Sequence, residues 1–129
     1  SLAWRQIPAR TANALRQNLA THPGAMNVRY TEGDPEALSL AMQFARVAED
    51  AGWRVSFASL HLANTLATGL LVSDPHNSDD GRRLSSALRS SGVPFASEEI
   101  PVTMRRTMGE AEHPGAPTLM IGSRPSPVR

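Results

Sequence analysis

In the first half of the chain, the pattern of hydrophobic and polar positions predicts a strand, a helix and a second strand. Apolar and polar residues alternate over 26–31 and again over 53–58, which is the period of a half-buried strand. Asp34 can cap the helix between them, Pro35 suits its first position, and Gly52 suits its end after about Ala51. The apolar stripe expected to face the sheet comprises Leu38, Ala41, Met42, Ala45 and Ala48, widened by Leu40, Phe44 and Val47.

The second half repeats this pattern. Residues 69–73 are typical of a short buried strand, and the capping residues of 74–80 favour a helix that ends at Gly92, with Leu84, Ala87 and Leu88 on one side. A further strand is expected over 95–102 and a last one over 118–122. The stretch 59–68 has no clean period and predicts a loop or hairpin, and 104–117 predicts an exposed loop.

A single α/β domain over residues 1–129 accounts for these elements, because a chain of this length needs only one hydrophobic core. An amphipathic helix lies within 1–24, and 123–129 form a loosely held tail. Each strand-helix-strand unit has a right-handed crossover and parallel strands. We expect a two-layer sandwich with a mixed sheet, in which both main helices share one face; a three-layer Rossmann-like arrangement is the alternative.

Composition narrows the possible functions. The net charge of +1 gives no strong field for nucleic acid or an anionic membrane. The chain has no cysteine, which excludes disulfides, thiolate nucleophiles and thiolate zinc sites. No apolar run reaches the roughly 20 residues that span a bilayer, but the chain opens without methionine, so we expect a fragment whose upstream part could carry a membrane anchor.

Two groups of side chains are candidates for binding a small ligand. Asp74, His76 and Asp80 follow the third predicted strand, a position where α/β domains often bind ligands, although such loops also gather these residues for helix capping alone. Arg105 and Arg106, together with Arg124 after the last predicted strand, could bind an anion through bidentate hydrogen bonds, or could simply be solvated charges.

No catalytic, metal-ligating or cofactor-binding residue is predicted. The chain has neither G-x-G-x-x-G nor a P-loop, so classical nucleotide binding is disfavoured. It also lacks the G-x-S-x-G nucleophile elbow and the H-E-x-x-H zinc motif, and its four histidines are scattered. These absences favour a binding domain over an enzyme.

Several turns and strands resemble those of a loose group of bacterial membrane-anchored proteins. The matching segments are 33–37, 51–53, 69–72 and 119–125, which are caps, turns and strands. In that group, one or two amino-terminal transmembrane helices precede a soluble α/β domain. The element order is also similar to that of the carboxy-terminal domain of LytR-type cell-envelope proteins, but the asparagine-glycine-rich turn after the first strand is missing here.

Together these observations favour a non-enzymatic sensory or protein-interaction domain. The resemblance implies a tether that places it on the cytoplasmic side of the inner membrane; without one it would be cytoplasmic. A protein partner or self-association is expected through a sheet edge or loop end, with no nucleic acid and no cofactor. The alternative is a domain that binds a small molecule or nucleotide-derived ligand, with or without hydrolytic activity, at Asp74, His76, Asp80, Arg105 and Arg106.

Overall fold

The computed structural model describes residues 3–61, 68–99 and 105–125. Within these ranges, helices and strands alternate much as the hydrophobic pattern predicts. The helices are α1 (Ala9–Ala20), α2 (Pro35–Asp50) and α3 (Asp79–Ser90). The strands are β1 (Ala25–Thr31), β2 (Arg54–His61), β3 (Leu70–Ser73), β4 (Ala96–Ser97), β5 (Arg105–Gly109) and β6 (Thr118–Ile121).

The strands form one mixed six-stranded sheet in the order β4-β3-β6-β1-β2-β5. β1 lies between β6 and β2 and is parallel to both. β3 is antiparallel to β6 and parallel to β4, and β5 is antiparallel to β2. The two strand-helix-strand units are therefore β1-α2-β2 and β3-α3-β4, as predicted.

Local sequence fixes where the two main helices begin. The Asp34 carboxylate accepts a hydrogen bond from the Ala37 amide at 3.1 Å, and Pro35 occupies the first turn of α2. The Ser78 hydroxyl accepts one from the Gly81 amide at 2.9 Å at the start of α3. These caps satisfy amides that have no partner inside the helix.

All three helices pack on one face of the sheet and share one core with it. The central strands contribute their apolar side chains to the same cluster as α1, α2 and α3, which confirms the two-layer sandwich over the Rossmann-like alternative. Met42 is a correction, because its side chain is 50% exposed and lies off the buried stripe. Buried residues of this core include Leu15, Leu19, Met26, Val28, Leu40, Phe44, Val72, Leu84, Leu88, Leu119 and Ile121.

Other predicted boundaries also need correction. β2 continues to His61, so residues 59–61 are strand, and 62–67 lie outside the described residues. The stretch 105–109 is a strand because it pairs with the edge of β2, which a pattern without periodicity could not show. The strand expected over 95–102 is only Ala96–Ser97, and 100–102 lie outside the description. The tail is held at its start, where Ser123 accepts a hydrogen bond from the Gly69 amide; 126–129 are not described.

The other face of the sheet carries buried polar side chains. Arg29 is fully buried and donates hydrogen bonds to the carbonyl oxygens of Val28 and Ser56 at 2.9 and 2.8 Å. The Ser56 hydroxyl donates to Asn27, whose side chain also bonds to the backbone of His113. The segment before β6 is thereby fixed across this face, and we assign these residues a structural role.

Candidate functional site

The amino-terminal segment 3–8, called the strap below, runs ahead of α1 and is tied to α2 and to the end of β6. The Ala3 carbonyl accepts a hydrogen bond from Arg124 Nη1 at 2.6 Å. Further along, the Ile7 amide donates to Gln43 Oε1 at 2.9 Å. Residues far apart in the sequence therefore hold the strap in place.

Arg5 makes the densest set of contacts in the strap. Its backbone amide donates to Glu36 Oε2 at 2.8 Å, and its guanidinium reaches Glu36 Oε1 at 2.7 Å. The same guanidinium donates to the Gly122 carbonyl at 2.6 Å. We call these three residues the Arg5 clamp, because they join the strap to α2 and to the chain directly after β6.

The clamp is electrostatically favourable. Hydrogen bonds from Arg5 hold the pKa of the Glu36 carboxyl below its ordinary value, although its burial acts in the opposite direction. Both side chains are largely shielded from water, so solvent weakens this pair less than it would an exposed one. Glu36 is therefore ionised at neutral pH.

One face of α2 lies beneath the strap. Glu36, Leu40 and Gln43 are four and three residues apart, so they occupy one side of the helix. Because Glu36 and Gln43 both bond to the strap, Leu40 lies under it between two anchoring points. The Leu40 side chain is only 4% exposed.

An apolar groove of about 450 Å³ lies beside the strap. The strap and the start of α1 form one wall, α2 supplies the floor, and the start of β3 and the chain after α3 form the other side. Its lining includes Ile7, Pro8, Thr11, Leu40, Phe44, Leu70, Val93 and Pro94.

A second, more polar groove of about 580 Å³ lies at the carboxyl ends of β3 and β4. Asp74 lines it, but its carboxylate accepts hydrogen bonds from the Ser78 amide and hydroxyl at 3.0 and 2.9 Å. Arg82, which also lines it, is paired with Asp79 and donates to Asn77. These polar groups are thus already engaged within the loop and the first turn of α3.

The structure places the three residues predicted after β3 in different surroundings. Asp80 accepts a hydrogen bond from the Ala25 amide at 3.1 Å and pairs with Arg83, away from the polar groove. His76 is exposed on the loop. Of these three residues, only Asp74 lines the polar groove.

The predicted arginine pair belongs to another part of the sheet. Arg105 and Arg106 are in β5, where their backbones pair with His61 and Leu60 at the carboxyl end of β2. β3 and β5 are separated by three strands, which is roughly 19 Å at the usual strand spacing. Because β3 runs antiparallel to β6, the Asp74 loop lies at the edge of the sheet opposite to the carboxyl end of β2. The structure therefore does not bring the two groups together.

The contacts of the Arg5 clamp were not predicted from the sequence. Arg5 and Glu36 are 31 positions apart, and Gly122 is 86 positions further on. A lone arginine and an acidic residue in the first turn of a helix are common surface features, and no spacing rule links them. In the sequence, Glu36 stands two positions after the capping Asp34, and this pattern indicates the start of a helix, not a contact with Arg5.

In residues 3–61, 68–99 and 105–125, no three acidic or histidine side chains are arranged to hold a metal ion. Among the helices of that same part of the chain, none has the length and apolar character needed to cross a bilayer.

The fold defines the class of this protein as a two-layer α/β sandwich with a mixed sheet. Comparison with models of known families, with curated proteins and with solved structures finds no match for the chain. The chain's own groove and strap are therefore the basis of the functional proposal.

Proposed function

We propose that this chain is a non-enzymatic protein-interaction domain that binds an apolar segment of a partner protein in the groove beside the strap. The observation that carries the proposal is the apolar lining of this groove. Five separate parts of the chain form it: the strap with the start of α1, α2, the start of β3, the chain after α3, and Pro125. Its volume of about 450 Å³ falls within the range of about 300–1,000 Å³ typical of binding sites.

The surroundings of the groove also favour a protein segment. Burying apolar surface is the main driving force of most protein association. Trp4, next to the groove-lining part of the strap, is 53% exposed, and tryptophan is enriched among the residues that dominate binding energy at interfaces. A partner that fills the groove and covers Trp4 would bury both features together.

We further propose that the domain is tethered to a bacterial inner membrane, on its cytoplasmic side, by chain upstream of the strap. The resemblance of its turns and strands to the soluble domains of membrane-anchored proteins supports this part of the proposal. A tether would enter the domain directly at the strap, beside the groove.

Site-specific photocross-linking tests the groove. We expect a cross-linker at Thr11, inside the groove, to capture one partner from cells, whereas a cross-linker at exposed Met42 does not capture it. The purified partner is then titrated against the wild type and Thr11→Trp by calorimetry. Filling the groove with an indole should weaken binding at least about tenfold, which is about 1.4 kcal/mol.

Asn13→Trp is the matched control, because it adds the same side chain to an exposed position of α1 outside the groove lining. Equal affinities of Thr11→Trp and the wild type for the captured partner would rule out the groove as its binding site. Failure to capture any partner at position 11 would also contradict the proposal.

A further inference from the structure

The strap is both a wall of the groove and a segment held by a few polar contacts. Arg5, Ile7 and Pro8 line the groove, yet they precede α1 and belong to no helix or strand. Side-chain and backbone hydrogen bonds join the strap to Glu36, Gln43, Gly122 and Arg124. Such a segment can open locally at a lower free energy than the helices and strands that form the core.

The clamp is the strongest of these contacts. It combines an ion pair with several charge-assisted hydrogen bonds, which are about twice as strong as neutral ones. Without it, the strap would keep the neutral bond between Ile7 and Gln43 and the contact at Ala3. Closure of the groove wall therefore depends largely on one side-chain pair.

We infer that the Arg5 clamp gates the apolar groove. When the clamp is closed, the strap covers Leu40 and completes the wall of the groove. When the clamp opens, the strap moves away and this wall is lost. This inference rests on the proposed function, since it describes how the same groove is regulated. By linkage, a partner that binds only the complete groove favours the closed clamp, and a pull on the chain before residue 3 weakens binding.

The absence of native cysteine permits a direct test with single introduced thiols. Leu40→Cys places a thiol beneath the strap, and Ala41→Cys places one in the sheet-facing core, one position along the same helix. The labelling rate of each by Ellman's reagent is measured with Arg5 intact and with Arg5→Gln. We expect Arg5→Gln to speed labelling at position 40 at least tenfold and to leave position 41 within twofold.

Equal acceleration at both positions would mean general destabilisation and would overturn the inference, as would no acceleration at either. Arg82→Gln, which removes an exposed ion pair of α3, is the charge-matched control and should change neither rate. If Leu40→Cys does not fold, amide exchange in the cysteine-free chain provides the same comparison, with Ile7 against Ala41. The labelling test needs no partner. A negative result for gating by the clamp can therefore be distinguished from a negative result for the groove in the cross-linking test.

Discussion

At the scale of single residues, Gly81 shows how closely the loop after β3 fits the start of α3. A Cβ atom built at this glycine would overlap the carboxylate of Asp74. That carboxylate is held by the amide and hydroxyl of Ser78, which in turn caps α3. The small residue at position 81 is therefore required by the capping arrangement and not by backbone conformation.

Gly81→Ala should destabilise the protein by about 1–3 kcal/mol, the usual cost of an overpacked site. In an Asp74→Ala background the overlap is gone, and the same substitution should stabilise by about 0.5–1 kcal/mol because alanine favours a helix over glycine. Urea unfolding of the four proteins measures both effects. An effect of the same sign and size in both backgrounds would show that Asp74 does not restrict position 81.

At the scale of elements, α2 contacts the sheet with one face and the strap with another. One face packs on the sheet, and the other carries the side chains that hold the strap. Two carboxylates, Asp34 and Glu36, lie at the start of α2. Burial alone would raise the pKa of Asp34, but hydrogen bonds from the Ala37 amide and the Ser123 hydroxyl outweigh the effect of burial and lower that pKa. The pKa of Glu36 is lowered as well, chiefly by Arg5.

These lowered pKa values predict an acid-sensitive stability. The unfolded chain takes up protons on Asp34 and Glu36 at a higher pH than the folded chain does. Their stabilising contribution is therefore present at neutral pH and declines as the pH falls below about 5, through the folded-state pKa values. Urea unfolding from about pH 7 to about pH 3 should show this decline, with a shallower slope in Glu36→Gln.

Asp79→Asn provides the comparison, because it removes an exposed carboxylate from the first turn of α3. The change of slope in Glu36→Gln is compared with the change in this variant. If Glu36→Gln has the wild-type slope, Glu36 does not contribute to the pH dependence and the electrostatic description of the clamp is wrong.

At the scale of the whole molecule, the sequence predicted the layers better than the site. The strands and helix starts depend on residues close together in the sequence, so their patterns can be recognised there. Examples are the alternation over 26–31 and 53–58 and the capping residues Asp34 and Ser78. The antiparallel direction of β3 against β6 and the pairing of β5 with β2 depend on strands distant in sequence. A period of two marks a strand but does not identify its neighbour.

The candidate site depends even more on distant contacts. Its groove is lined by the strap, α2, the start of β3 and the turn after α3, and none of these segments has a binding motif of its own. The residues that do look chemical in the sequence, Asp74 and Asp80, are engaged by capping and backbone contacts. A polar cluster before a helix can therefore serve capping alone, whereas the groove forms only when the chain folds.

We expect the apolar groove, and not the polar one after β3, to be the binding surface. Two-dimensional ¹H–¹⁵N NMR of the ¹⁵N-labelled domain, titrated with small apolar fragments, tests it most directly. We expect the largest shifts on the amides of Ile7, Leu40, Leu70 and Val93. Shifts centred on Asn77, Ser85 and Ser97, or no saturable shifts at all, would contradict it.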